Sequence, residues 1–260
     1  MDEQALNIAL QDLALPKIHY FAETDSTNDR ALALISQGTP EFTLVIAERQ
    51  SAGRGRFGRQ WETSAGASLA FTLILHPTKE EQDCLGLFSL LGALATCLAI
   101  EHLSDIKPMV KWPNDILLGG KKTAGILAEA SWRGISLDGL ALGIGINLLE
   151  GSAPPDDKVM FPATCVTAHC TSPINRLSFL ASVLKELLFL RSKTLTREFI
   201  DEYRSRLAFI GQQVQLIPVE GKSVEGKLVG IQETGELIIM AIDGSCHAFP
   251  IGDLKLRAAA

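Results

Sequence analysis

The chain has 260 residues, of which 47% are hydrophobic and 21% charged, and its formal net charge at pH 7 is −6. This balance is typical of a globular protein, and the acidic charge argues against a protein that holds nucleic acid by bulk electrostatics. Five cysteines without a C-x-x-C pair, five scattered histidines, no basic leader and no apolar run of about 20 residues predict a cytoplasmic protein without a membrane span or a zinc-type site.

The first part of the chain is predicted to combine short helices with the strands of a sheet. Asp25-Ser26-Thr27-Asn28 is typical of a helix N-cap, and Gly38 and Pro40 are typical of a helix end. Apolar and β-branched spacing assigns the elements around these signals. In chain order they are a helix at residues 30–36, strands at 42–47 and 68–75, a helix at 83–103, a hairpin of strands at 116–118 and 125–131, and a strand at 140–148.

The second part begins after an exposed proline-rich loop at residues 154–157. Apolar residues at helical spacing predict helices at 176–192 and 196–207. The remaining chain consists of short strands separated by glycines, which is typical of a small β-barrel. We therefore predict an α/β (α+β) protein with two domains: a mixed β-sheet domain flanked by helices over residues 1–208, and a small β-barrel over residues 209–260.

The segment 53–61 is the most informative stretch of the chain and has the sequence GRGRFGRQW. Glycine lets the backbone approach a ligand closely, and arginine offers a planar fork of donors that fits phosphate or carboxylate. Three arginines in so short a loop predict a site that wraps a nucleotide or an activated phosphate ester. Because their charges repel one another, we expect this arginine loop to order only when the anion binds.

Three further clusters carry side chains suited to ligand contact. Ser26-Thr27-Asn28, together with Gln50, can present hydroxyl and amide groups to a polar head, although a plain N-cap also accounts for the first three. Segment 111–115, with the sequence KWPND, offers a lysine for phosphate, a ring for stacking and an Asn–Asp pair for magnesium; an ordinary strand-to-turn segment is the alternative. Lys122 can direct its ammonium group into a pocket, whereas a solvated hairpin tip accounts well for Lys121.

The order of these motifs resembles that of the biotin protein ligases. The matching motifs are GRGRxGRxW at 53–61, KWPND at 111–115, KxxGIL at 122–127, GxGIN at 143–147, Ser26-Thr27-Asn28 and Gln50. The resemblance covers nearly the whole chain and implies that the β-barrel is SH3-like. Only 25 residues precede Ser26, too few for the DNA-binding domain of the family's regulatory members. We therefore expect a monofunctional ligase that does not bind DNA.

The resemblance implies an ATP-dependent biotin–[biotin carboxyl-carrier protein] ligase. Such an enzyme uses ATP and Mg²⁺ to convert biotin to biotinyl-5′-AMP, and then transfers biotin to a lysine of a biotin carboxyl carrier protein, such as an acetyl-CoA carboxylase subunit. An exposed edge strand would allow a homodimer or carrier docking. Two alternatives are a lipoate or octanoate protein ligase, whose histidine–aspartate pair is absent here, and an RNA-binding module, against which the acidic charge argues.

The resemblance also implies roles for individual residues. Biotin contacts are implied for Ser26, Thr27, Asn28, Gln50, Gly53, Arg54, Gly55, Arg56, Lys122 and Gly125. Contacts with ATP or the adenylate are implied for Arg54, Arg56, Arg59, Trp61, Lys111, Asn114, Lys122, Asn147 and Arg257. Catalytic roles are implied for Lys122, Arg56, Lys111 and Asp115, and magnesium coordination for Asn114 and Asp115. Phe57 stands where some members have an arginine, and Asp253 stands where a glutamate is common.

Overall fold

A seven-stranded mixed sheet forms the centre of the computed structural model, which describes residues 1–103, 106–155, 157, 159, 161–218, 222–250 and 254–258. Its strands are β1 (Ile18–Thr24), β2 (Leu44–Gln50), β3 (Ser68–Leu75), β4 (Met109–Lys111), β5 (Asp115–Leu118), β6 (Lys121–Arg133) and β7 (Ser136–Asn147). They lie side by side in the order β1-β2-β3-β7-β6-β5-β4. β1 pairs with β2 in parallel, and the other neighbours pair antiparallel.

Helices cover both faces of this sheet. The described residues form α1 (Glu3–Leu10), α2 (Thr27–Ile35), α3 (Leu87–Glu101), α4 (Arg176–Arg191) and α5 (Arg197–Arg204). Side chains alternate between the two faces of a strand, so Phe71 and Leu73 of β3 join the main core with α3 and α4, whereas Ile74 packs against Ala31 and Ile35 of α2. None of the helices in the described part of the chain combines the length and the apolar character that a membrane span requires.

A second, smaller antiparallel sheet follows α5. Its strands are β8 (Gln213–Pro218), β9 (Val224–Ile231), β10 (Leu237–Met240), β11 (Cys246–Phe249) and β12 (Leu254–Ala258), in the order β11-β10-β9-β8-β12. Val214, Leu228 and Ile239 belong to the same hydrophobic core as the large sheet. The predicted fold class is thus confirmed, whereas the domain boundary at residue 208 stays a prediction because the core continues across it.

Several predicted elements differ from the observed ones. The strand at 68–75 is confirmed at both ends, but the helix predicted at 83–103 is interrupted: a 3₁₀ turn at Gln82–Cys84 precedes α3. β2 extends to Gln50 rather than ending at residue 47, because backbone pairing with β1 carries the strand into polar residues. The sequence analysis missed α1 and β1. α1 has only two fully buried side chains, Leu6 and Leu10, and β1 is an edge strand without regular apolar alternation.

Candidate functional site

A cavity of about 550 Å³ opens on the face of the large sheet that α2 covers. On β7, Leu142 and Ile144 point into the main core, so Gly143 and Gly145 face the α2 side. Gly145 pairs in register with Gly125 of β6. The missing side chains at these three glycines make room for the Asn28 amide and the Trp61 ring, which line the cavity.

The N-terminal end of α2 supplies a polar floor. Ser26 is the N-cap residue of α2, yet its side chain makes no capping hydrogen bond, so the plain N-cap alternative does not account for it. Gln50 Oε1 accepts hydrogen bonds from the Thr27 backbone N–H at 2.8 Å and from the Thr27 hydroxyl at 3.1 Å. The Thr72 hydroxyl lies 2.8 Å from Thr27 Oγ1 and donates to Asn28 Oδ1 at 2.6 Å. The floor is therefore a network of polar groups held in fixed orientations.

The opposite side of the cavity is cationic. Lys122 Nζ lies 2.5 Å from Asp115 Oδ1, because the two residues stand on the neighbouring strands β6 and β5. The same ammonium group is 5.6 Å from the centre of the Trp61 ring. Lys111 Nζ lies 4.3 Å from the centre of the Phe161 ring. Both lysines are thus positioned by an acidic or aromatic partner at the cavity.

Buried hydrogen bonds hold the KWPND turn (residues 111–115) in place. Trp112 is 1% exposed and its indole N–H donates to the Gly235 carbonyl oxygen at 3.0 Å. Its ring therefore packs into the protein at the edge of the cavity, and stacking on a ligand stays a prediction. The Tyr203 hydroxyl donates to the Pro113 carbonyl oxygen at 3.1 Å. Burial raises the pKa of Tyr203, so the hydroxyl keeps its proton. Asn114 is fixed by donating from Nδ2 to the Ile126 carbonyl oxygen at 2.7 Å.

The arginine loop lies against the cavity and closes on itself. The Gly55 N–H donates to the Arg59 carbonyl oxygen at 2.7 Å, and the Trp61 N–H donates to the Gly53 carbonyl oxygen at 2.9 Å. Arg56 Nη1 donates to Asn114 Oδ1 at 3.4 Å, which joins the loop to the KWPND turn.

Trp61 closes the arginine loop and packs its ring against the two glycines at 125 and 145. Its Nε1 is buried and has no hydrogen-bond partner in the described part of the chain. A buried donor without a partner is costly. The indole N–H is therefore suited to a ligand oxygen.

Most of the predicted site residues line the cavity. They are Ser26, Thr27, Asn28, Gln50, Arg54, Gly55, Arg56, Arg59, Trp61, Lys111, Asn114, Asp115, Lys122 and Gly125. Gly53 and Asn147 do not. A side chain at Gly53 would meet Gln50 and the Trp61 carbonyl oxygen, so this glycine serves packing within the loop. Asn147 is 3% exposed, and its carbonyl oxygen accepts from the Thr123 hydroxyl. The Arg257 side chain and Asp253 lie outside the described residues.

Comparison with known proteins agrees with this geometry. Residues 20–147 match the family model described as the biotin/lipoate A/B protein ligase family. The chain is 33% identical to the biotin–[acetyl-CoA-carboxylase] ligase of Paracoccus denitrificans, over 84% of this chain and 92% of that protein. This chain belongs to the biotin protein ligase family.

Two further relatives of the biotin protein ligase family extend the match. The bifunctional ligase/repressor BirA of Bacillus subtilis is 32% identical over 86% of this chain and 70% of that protein. A structure of the Aquifex aeolicus biotin protein ligase in complex with biotin and ATP superimposes with a TM-score of 0.81 at 30% identity, covering 94% of this chain and all of that one. The similarity therefore includes the smaller sheet as well as the cavity.

Several residues in or near the biotin ligase cavity were not predicted from the sequence. Thr72 is a polar residue inside the otherwise apolar strand SLAFTLIL, and that interruption was a usable signal. Glu129 lies on β6 two positions after Leu127 and four positions after Gly125. Strand alternation therefore places it on the cavity side of the sheet. Phe161 and Phe209 line the cavity itself. They come from loops, and no pattern in the sequence marks them.

The Asn28 amide lies directly against Gly143 of β7. A Cβ at Gly143 would overlap Asn28 Oδ1, so Gly143→Ala must displace that amide from the floor. Overpacking costs about 1–3 kcal/mol, and we expect biotin affinity to fall by about tenfold or more. Isothermal titration with biotin measures this, and thermal unfolding checks that the variant is folded. An unchanged dissociation constant would show that the Asn28 amide has no part in binding.

Proposed function

We propose that this protein is an ATP-dependent biotin–protein ligase that forms biotinyl-5′-AMP and then transfers biotin to a lysine of a biotin carboxyl carrier protein. The supporting observation is that one cavity brings together a buried polar floor, two lysines and the arginine loop. The floor suits the polar head of biotin, and the cationic side suits its carboxylate and the phosphates of ATP. Lys122 lines the cavity on the cationic side.

The first reaction requires two anions to approach each other. A carboxylate is a poor electrophile, and joining it to AMP provides a good leaving group. In the proposal, the carboxylate of biotin attacks the α-phosphorus of ATP, and pyrophosphate leaves. Lys122, Lys111 and Arg56 stabilise the negative charge that gathers during this step, because fixed positive charge in a partly enclosed site needs little reorganisation. Lys122 bridges the new acyl–phosphate link, as a compact charge suits one position.

Asn114 and Asp115 offer oxygen donors for Mg²⁺ at the cavity wall. Magnesium is usually held by one or two carboxylates together with substrate phosphates, and this donor set fits such a site. The described residues contain no group of three or more His, Cys, Asp or Glu side chains suited to a metal, so substrate oxygens would complete the coordination. When bound there, the ion would neutralise phosphate charge.

The second reaction needs a group that accepts a proton. The ε-amine of the carrier lysine attacks the acyl carbon of biotinyl-5′-AMP, AMP leaves, and the amine loses a proton. Asp115 is our candidate for the acceptor, because its carboxylate lies beside Lys122 in the cavity. Until the carrier arrives, the arginine loop shields the adenylate from water. A homodimer and a cytoplasmic location stay predictions.

Incubation of the purified protein with biotin and MgATP tests the proposed function. We expect mass spectrometry to detect biotinyl-5′-AMP together with equimolar pyrophosphate. Removal of magnesium with EDTA should reduce the product to background, and added Mg²⁺ should restore it. Lipoate and octanoate serve as matched acid substrates and should yield little adenylate. If the protein consumed no ATP in the presence of biotin, or preferred lipoate, the proposal would be wrong.

A further inference from the structure

The guanidinium group of Arg54 is held by two carboxylates of the protein itself. Its Nη1 pairs with Asp29 in the first turn of α2, and its Nη2 lies 3.3 and 3.2 Å from the two carboxylate oxygens of Glu129 on β6. The hydrogen bond with Asp29, together with the charge of Glu129, raises the pKa of Arg54. Two negative charges already surround this one positive charge, so Arg54 is a poor choice for binding a further anion.

Glu129 has a second partner on the floor of the cavity. Asn28 Nδ2 donates to Glu129 Oε2 at 2.7 Å and to the Leu127 carbonyl oxygen at 3.1 Å. At the other end of the same amide, Asn28 Oδ1 accepts from Thr72. Because an amide has one accepting and one donating end, these contacts fix its orientation. Glu129 therefore touches both the floor and the arginine loop.

We propose that Glu129 is a positioning residue that links the floor of the biotin site to the arginine loop, with Arg54 as the anchor of the loop. The anchor lies only two residues before Arg56, so it restricts where that guanidinium can lie. Biotin that contacts Asn28 would therefore affect the position of the Glu129 carboxylate, which holds the loop through Arg54. This inference rests on the proposed function for its ligand, but the anchor itself does not require a substrate.

The alternative is an ordinary surface ion pair. Arg54, Asp29 and Glu129 are each about one third exposed, with side-chain exposures of 37%, 39% and 30%, and isolated pairs of this kind contribute little to stability. Glu129 differs from such a pair because it shares its carboxylate with the buried amide of Asn28. Substitution should therefore change loop behaviour more than global stability.

Proteolysis of the ligand-free protein tests the anchor without any substrate. Glu129→Gln keeps an oxygen that accepts from Asn28 but removes the charge that holds Arg54. We expect chymotrypsin to cleave after Phe57 about tenfold faster, as expected for the loss of a charge-assisted hydrogen bond. Asp29→Asn, on the surface of α2, should have the same direction of effect. Unchanged cleavage in both variants would overturn the anchor.

A matched control removes an equivalent carboxylate elsewhere. Glu23 on β1 pairs with Arg49 at 3.4 Å, and Glu23→Gln should leave the cleavage rate unchanged. An equal increase in this control would mean that the effect is a general loosening, and would count against Glu129.

The link to the ligand is tested by kinetics. In Glu129→Gln, biotinyl-5′-AMP should dissociate about tenfold faster than from the wild type. In a double-mutant cycle, adding Glu129→Gln to Arg54→Met should not increase the dissociation rate of biotinyl-5′-AMP any further. Additive effects of the two substitutions on this rate would refute the coupling. If the wild type formed no adenylate, the proposed function would fail, whereas faster cleavage of Glu129→Gln would still support the anchor.

Discussion

Replacement of Lys122 by alanine is expected to reduce adenylate formation by about 10²–10³-fold, the usual effect of removing one fixed group that stabilises charge in a transition state. Lys122 Nζ lies at the cavity wall against Asp115, so alanine removes the bridging cation and leaves a carboxylate close to the substrate anions. Both changes oppose the approach of biotin to ATP. Pyrophosphate release with biotin and MgATP measures the effect.

The neighbouring lysine provides the control for this variant. Lys121 is exposed at the start of β6, so Lys121→Ala removes the same charge one residue away without entering the cavity. It should retain the activity of the wild type. Thermal unfolding should show that Lys122→Ala is folded. A wild-type rate of pyrophosphate release in Lys122→Ala would reject its proposed role.

Replacement of Arg56 by glycine should release the intermediate too early. Arg56 lies at the cavity and donates to Asn114, and in the proposed function its guanidinium group contacts the adenylate phosphate. Charge-assisted hydrogen bonds contribute about 1.5–3 kcal/mol, so one lost contact should speed dissociation of biotinyl-5′-AMP by about 10- to 100-fold. Stopped-flow fluorescence or a filter-retention assay with labelled biotin measures this rate.

Two variants separate charge from chain flexibility at this position. Arg56→Lys keeps the charge and should retain the intermediate better than glycine, whereas Arg56→Ala removes the charge without adding a glycine to the loop. Alanine and glycine should therefore behave alike. Adenylate that dissociated from Arg56→Gly at the wild-type rate would contradict the shielding role of the loop.

Sequence alone predicts the parts of this site whose chemistry lies in one short segment. The arginine loop and the KWPND turn combine unusual residue types over a few positions, so their cationic character does not depend on the rest of the fold. Even so, the sequence does not distinguish the arginine that anchors the loop from the arginine that contacts the ligand. The distinction between Arg54 and Arg56 depends on Asp29 and Glu129, which are 25 and 75 positions away from Arg54.

Contacts between distant segments account for most of what the sequence analysis missed. Thr72 meets Asn28 across 44 positions, and Asn28 meets Glu129 across 101. Neither pair follows from helical or strand periodicity without the order of the strands. The hydrogen bond of the Trp112 indole was missed for the same reason, because its partner Gly235 lies 123 positions further along the chain.

The hydrogen bond from Trp112 to the Gly235 carbonyl oxygen ties the turn between β9 and β10 to the segment that presents Lys111 and Asn114. Remote substitutions in that turn can consequently act as partial loss-of-function alleles. Cells with such a substitution would attach biotin to the carrier protein slowly, although every side chain that contacts the ligand would be intact. Genetic screens that score only residues lining the cavity would overlook them.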